Sequence, residues 1–195
     1  NYHLTSYYHL LAFLKPFQEE KEAFLKEILY NKFFRLMCGS HSGFGYTFEN
    51  VLSASFLMYG QRESNVERAP INFSRIKGLR SLQGHIDWKS LSIESDILCQ
   101  TPQARAVDAF ILQDEKLVLM QFTTANPPDP KKLDVLGSIM EKIERHSVLG
   151  WLVSLFPLPR VSGINENITI TSGKNLSEFL GESLTNRLLE VKKSL

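Results

Sequence analysis

Residues 106–123, which read AVDAFILQDEKLVLMQFT, decide the fold of this chain. Two apolar runs, 106–112 and 117–123, flank a short polar segment, a pattern typical of two antiparallel strands joined by a tight turn. If Asp114 and Glu115 form the centre of the turn, each step back along the first strand matches one step forward along the second. The stretch therefore predicts a β-hairpin with a defined register.

One polar residue interrupts each apolar run, Asp108 in the first and Gln121 in the second. The register predicts that they lie directly opposite each other, with their Cβ atoms about 5 Å apart. Thr123 should share the face of Gln121, because side chains alternate along a strand. A slip of one residue would place Asp108 and Gln121 on opposite faces.

A carboxylate in such an apolar hairpin needs a partner, because burying an unpaired charge is costly. Gln121 could donate a hydrogen bond to Asp108. A divalent cation could instead bridge Asp108, a carbonyl oxygen and a third acid, and Glu49 on a predicted early helix is the candidate third ligand. On periodicity alone a structural role for Asp108 is favoured, and the metal-binding role stays open.

The rest of the chain alternates between helical and strand patterns. The spacing of apolar residues predicts a helix over 17–37, a loop at 41–45 and a second helix from Tyr46 to Met58. Asp129 and Pro130 are typical of a helix start. Further predicted elements are strands at 71–73, 97–99, 150–156 and 168–170, and a last helix over 175–191. A strand, a helix and an apolar strand in succession predict a parallel crossover, so we expect an α/β fold with a mixed β-sheet flanked by helices.

The composition predicts a single globular domain over residues 1–195, with 43% hydrophobic and 22% charged residues. The net charge of +1 argues against a general polycation, although a local basic groove stays open. Two cysteines, Cys38 and Cys99, exclude a disulfide-built scaffold and favour a reducing compartment. No apolar run reaches the roughly 18 residues of a membrane span, so we expect no membrane association. Because the chain begins with Asn1, we expect a fragment of a longer protein; its oligomeric state is left open.

Residues 96–135 resemble the restriction-endonuclease-like domain of Crinkler and retrotransposon-hot-spot effector proteins, which belong to the PD-(D/E)xK superfamily. The resembling features are Pro102 ahead of Asp108 in a Val-Asp-Ala-Phe box, a Gln-x-Thr strand end, and a Gly-x-x-Phe-Glu element at 45–49. The resemblance covers roughly residues 40–156. It implies an αβββαβ core over 41–195, with 1–40 as an N-terminal helical extension.

The resemblance implies a site that binds Mg²⁺ or Mn²⁺ and hydrolyses phosphodiesters. Carried over by position, Asp108 is the metal-binding aspartate, Gln121 stands in place of the second acid, Thr123 stands in place of the lysine, and Glu49 is the accessory acid. Gln121 would complete the metal shell and Thr123 would orient water. The implied setting is an effector that is secreted and acts in a host nucleus on nucleic acid, with DNA favoured over RNA, or on a host protein.

The motif D…QxT departs from that of active members, because Gln121 is neutral and Thr123 carries no positive charge. Lys131 or Lys132 could supply the charge, although solvent-exposed lysines are the more common case at a helix start. The alternative function is therefore a catalytically inactive nuclease fold that binds nucleic acid or a protein, with Asp108 and Gln121 hydrogen-bonded. A third interpretation, an unrelated α/β interaction module, predicts that the two residues do not lie on adjacent strands.

Overall fold

The computed structural model describes residues 41–59, 69–82, 84, 86–101, 106–144, 147–159 and 165–195. The predicted helix over 17–37, the extension 1–40 and Cys38 lie outside the described residues.

A six-stranded mixed sheet forms the centre of the fold, and its strands lie side by side in chain order. The strands are β1 (Gly78–Ser81), β2 (Ile97–Gln100), β3 (Ala109–Gln113), β4 (Lys116–Thr123), β5 (Ser147–Ser154) and β6 (Ile168–Ser172). The pairs β2–β3 and β3–β4 are antiparallel, whereas β1–β2, β4–β5 and β5–β6 are parallel. The α/β class with a mixed sheet, predicted from the sequence, is confirmed.

Helices cover both faces of the sheet. They are α1 (His41–Tyr59), α2 (Lys131–Met140), α3 (Lys174–Leu180) and α4 (Glu182–Lys193). One apolar layer joins α1, α3 and α4 to the sheet, and it includes Phe48, Phe122 and Trp151. The other layer joins α2 to the opposite face, through residues such as Leu119 and Leu136. Burial on both faces explains why the sequences of the central strands β3, β4 and β5 are almost continuously apolar.

The hairpin forms in the predicted register. Gln113 pairs with Lys116, and Ala109 pairs with Met120 at the far end of the ladder. Asp114 and Glu115 occupy the turn with φ values of 48° and 61°. Two central residues with positive φ give the turn the twist that a two-residue hairpin requires. The prediction for the turn and for the register within the strands is therefore confirmed.

The predicted crossover is also present, since α2 connects the parallel strands β4 and β5. Pro130 is the N-cap of the helix rather than its first residue, and the carboxylate of Asp129 before it accepts a hydrogen bond from the N–H of Lys131 at 3.0 Å. Gly150 allows β5 to pack closely against its neighbours. A Cβ atom there would lie 2.9 Å from Ile168 Cγ1 and from Met140 Sδ.

Three local predictions are wrong. Residues 41–45 belong to α1 rather than to a loop, because Phe44 is buried in the core and adds a turn to the apolar face of the helix. Residues 71–73 form no strand, and a 3₁₀ helix at Phe73–Arg75 follows Asn72, whose side chain accepts hydrogen bonds from Ser74.

The single helix predicted over 175–191 is two helices, α3 and α4. Gly181, with φ of +80°, separates them, because this backbone conformation cannot continue a right-handed helix.

Candidate active site

The predicted site residues lie around the carboxyl end of β4, where α1 and α2 both begin nearby. A Cβ atom on Gly45 would lie 3.9 Å from Thr124 Oγ1, which places the first turns of α1 against the residue that follows β4. Glu49 lies one turn further along α1, and Lys132 lies in the first turn of α2. Glu49, Asp108 and Lys132 are all half-buried.

Asp108 lies immediately before β3, and its hydrogen bonds connect it to residues near the ends of β2 and β4. Its N–H donates to the carbonyl of Met120 at 2.8 Å, and its carbonyl accepts from the N–H of Thr101 at 2.9 Å. Its carboxylate Oδ2 accepts a hydrogen bond from the N–H of Phe122 at 2.6 Å. The side chain of Asp108 thus pairs with the backbone of β4 where the β3–β4 ladder has ended.

The backbone departs from a regular strand at Asp108. Met120 is the register partner of Ala109, yet its carbonyl accepts from the preceding residue, Asp108, as in a β-bulge. Val107 packs in the α2 layer and Ala109 in the α1 layer, although they are two residues apart. The alternation of faces is therefore broken at Asp108, and the hairpin register does not determine which way its side chain points.

Gln121 is buried, with 4% of its surface exposed. Its neighbours Met120 and Phe122 pack in the α1 layer, so its own side chain points toward the α2 layer. Its Oε1 has no hydrogen-bond partner within the described part of the chain. Asp108 and Gln121, both described, share no hydrogen bond, so the structural pair expected for an inactive domain is not present.

Thr123 is buried at the last position of β4. Its hydroxyl accepts a hydrogen bond from the N–H of Ala125 at 3.4 Å, and its carbonyl accepts from the N–H of Leu155 at 2.9 Å. Both contacts hold the end of the strand and the turn that follows it. The role of orienting water stays a prediction.

Asp108 lies close enough to Glu49 for its charge to affect the pKa of Glu49. Burial raises the pKa of Asp108 to about 6, although the hydrogen bond from Phe122 and the charge of Lys132 lower it. Burial also raises the pKa of Glu49 to about 7, and the negative charge of Asp108 raises it further, against the lowering effect of Lys132. The negative charge of Asp108 therefore makes the Glu49 carboxyl harder to ionise.

Lys132 is the site residue that the sequence left undecided. Its positive charge lowers the pKa of both Glu49 and Asp108, yet among the described residues neither acid forms a direct ion pair with it. Lys131 is exposed at the same helix start. The sequence pointed to both lysines because they lie in the first turn of α2, the helix that follows β4. Only the packing of α2 distinguishes the two.

The donor set fits a hard divalent cation such as Mg²⁺. Among the described residues, the charge of Asp108 raises the pKa of Glu49, and the charge of Lys132 lowers the pKa of both acids. Within the described ranges no group of three or more His, Cys, Asp or Glu side chains that could hold a metal ion is found. Mg²⁺ commonly takes one or two carboxylates and fills its shell with water and substrate phosphates.

Comparison of the chain with protein-family models, with curated proteins and with solved structures found no match. The resemblance to PD-(D/E)xK effector domains therefore depends on the motifs quoted above. Among the described helices, none is both long enough and apolar enough to pass through a membrane.

Proposed function

We propose that this domain is a divalent-metal-dependent nuclease that hydrolyses phosphodiester bonds of nucleic acid. Glu49 and Asp108 would hold Mg²⁺ or Mn²⁺, and Lys132 would supply the positive charge that the sequence motif lacks at Thr123. The observation that carries the proposal is the coupling of Glu49, Asp108 and Lys132 at the end of β4.

Acids whose pKa values are raised by burial destabilise the folded protein when they are ionised, and such groups concentrate at functional sites. A structural ion pair would be expected to place a cation in direct contact with each acid. Here Lys132 lowers the pKa of both acids without a direct ion pair to either one. When both acids are ionised, their negative charge exceeds the positive charge of Lys132. A bound divalent cation would balance the difference.

The order of elements also supports the proposal. Helix α1, the antiparallel strands β2–β3–β4, helix α2 and the parallel strand β5 follow one another in the sequence α, β, β, β, α, β. This is the order that the resemblance implies for the core, with β1 and β6 added at the two edges of the sheet.

In such a site each residue has a distinct task. A bound Mg²⁺ would polarise a phosphoryl oxygen and increase the acidity of a water molecule. Asp108, held by the N–H of Phe122, is the fixed ligand. Glu49 loses its proton near neutral pH, and both acids are then negatively charged. Lys132 stabilises the negative charge that develops on the phosphate in the transition state.

Gln121 and Thr123 stay within the proposal as supporting residues. The Gln121 Oε1 atom is a buried acceptor with no partner among the described residues, which suits a water molecule or an ordered ligand nearby. The proposal does not require it to contact the metal.

A cleavage assay with labelled DNA and RNA tests the proposal. Cleavage should require Mg²⁺ or Mn²⁺, stop on addition of EDTA, and fall at least about 100-fold in Asp108→Asn and in Glu49→Gln. Asp108→Asn is preferred to alanine because an amide oxygen can still accept the hydrogen bond of Phe122. Equal cleavage by the wild type and both variants would show a contaminating nuclease and contradict the proposal.

One observation favours the second candidate, a nuclease fold that binds nucleic acid or a protein without cutting. The hydrogen bond from Phe122 to Asp108 gives that carboxylate a structural role that needs no metal. This candidate predicts binding of nucleic acid or a protein partner that Asp108→Asn leaves unchanged, and no metal-dependent cleavage.

The cellular setting belongs to the same proposal: secretion, entry into a host nucleus and action there on DNA in preference to RNA. Cys99 is a free, buried thiol, which suits a reducing compartment.

A further inference from the structure

Tyr46 is the exposed aromatic residue closest in sequence to the acid pair. Its surface is 50% exposed, whereas Phe44, Phe48 and Phe56 on the same helix are fully buried. The large hydrophobic residues that are exposed in the described part of the chain are Tyr46, Val135 and Leu195, and Tyr46 is the aromatic one. Core packing therefore does not explain the ring at this position.

The position of Tyr46 links it to the candidate site. It precedes Glu49 by three residues within α1, and residues with this spacing are neighbours on a helix surface, with Cβ atoms about 5–6 Å apart. The side chain of Asn50 donates a hydrogen bond to the backbone carbonyl of Tyr46 at 2.9 Å, and this contact does not involve the ring. Tyr46 is thus an exposed residue three positions before Glu49 in the same helix.

We infer that Tyr46 stacks on an unpaired nucleobase next to the phosphodiester held at Glu49 and Asp108, so that the substrate is single-stranded nucleic acid. The inference rests on the proposed function. Aromatic side chains stack on bases of any sequence, and unpaired bases expose the face that stacking needs. In a duplex the neighbouring base pairs already cover that face.

The charge of the chain supports a binding mode that relies on stacking. A protein that binds a duplex by its phosphates uses many Lys and Arg contacts, because phosphate contacts dominate such binding. This chain has a net charge of +1. A substrate bound by one ring and one metal-supported phosphate requires far less positive charge than a duplex groove.

Fluorescence anisotropy of the full chain with short labelled single strands tests the inference, with Mn²⁺ present and with strands whose backbone linkages cannot be hydrolysed, so that no cleavage occurs. Tyr46→Ala should weaken binding by about 5- to 150-fold, the range expected for one stacked base, while Tyr46→Phe should stay close to the wild type. Leu195→Ala, which also removes exposed apolar surface, is the matched control and should have no effect. DNA and RNA strands are compared, and thermal unfolding confirms that each variant folds.

A strand that lacks the stacked base separates this contact from a general loss of binding. Removing that base should weaken binding by the wild type and leave Tyr46→Ala unchanged. If Tyr46→Ala binds every strand as tightly as the wild type while metal-dependent cleavage persists, the inference is overturned and the proposed nuclease function stands. Tighter binding of duplex than of single strands would also overturn it. If the wild type neither binds nor cuts any strand, both fail.

Discussion

The carboxylate of Asp108 accepts a hydrogen bond from the N–H of Phe122 at 2.6 Å, across the end of the β3–β4 hairpin. The side-chain carboxylate accepts the hydrogen bond that a backbone carbonyl would accept if the β3–β4 ladder continued. Asp108 is therefore both a structural residue of the sheet end and one of the two acids of the candidate site. These two roles respond differently to substitution.

Asp108→Ala should lower the free energy of unfolding by about 1–3 kcal/mol, because the N–H of Phe122 loses its partner in a largely buried position. Asp108→Asn should not lower it, since the amide oxygen can still accept that hydrogen bond and the cost of a buried charge is removed. Urea denaturation of both variants at neutral pH measures the difference. Equal destabilisation would mean that the charge, and not the hydrogen bond, stabilises the sheet end.

Glu49→Gln should raise the thermal unfolding midpoint at about pH 8 in EDTA and leave it nearly unchanged at about pH 4. Burial raises the pKa of Glu49 to about 7, so the folded protein binds the proton more tightly than the unfolded chain. The stability cost of the carboxylate is absent below the pKa of the unfolded chain, grows as the pH rises, and is complete above the folded pKa. A midpoint difference that is the same at both pH values would contradict the raised pKa.

Lys132→Met should raise the pKa values of Glu49 and Asp108 still further, because the charge of Lys132 lowers both. Carbon-detected NMR titration of the side-chain carboxyls measures this shift directly, and the pH profile of cleavage should move upward with it. Lys131→Met is the matched control: Lys131 is exposed in the same helical turn, and its loss should move neither titration. Identical behaviour of the two variants would remove Lys132 from the site.

Gln121→Met should raise the free energy of unfolding by about 1 kcal/mol, because a buried amide oxygen without a partner costs stability and an apolar side chain of similar size does not. Gln113 provides the control. It is also buried, but its Oε1 accepts the N–H of Asn72 at 2.8 Å and its Nε2 donates to the Asn72 carbonyl at 3.0 Å. Gln113→Met should therefore destabilise the protein. Destabilisation by both variants would show that Gln121 has a partner in solution.

The register of the hairpin could be predicted from the sequence because the polar turn and the two apolar runs leave few alternatives. The bulge at Asp108 could not be predicted, since Val107 and Ala109 are both apolar and nothing in their order marks a change of face. The predicted pairing of Asp108 with Gln121 failed for that reason. The sequence also named Lys131 and Lys132 together, and only the packing of α2 shows which of them acts on the acids.

Glu49 was proposed from the sequence as a third ligand beside Asp108, and the resemblance implied the same role, but neither gave the packing that brings the two together. In the described part of the chain a 3₁₀ helix and the strands β1 and β2 lie between them, and their proximity depends on how α1 packs across the sheet. The loop predicted at 41–45 shows the same difficulty. Its Gly and Ser residues favour a turn locally, but the burial of Phe44 extends the helix.

The central claim is that Glu49 and Asp108 form a cation-binding pair, and calorimetric titration of the metal-free protein with Mn²⁺ at neutral pH tests it most directly. We expect saturable binding accompanied by proton release, since Glu49 is partly protonated near its pKa of about 7 and must ionise to bind the metal. Glu49→Gln should bind more weakly and release no proton, whereas Lys131→Met should match the wild type. Absence of saturable binding, or binding that Glu49→Gln and Asp108→Asn leave unchanged, would contradict the claim.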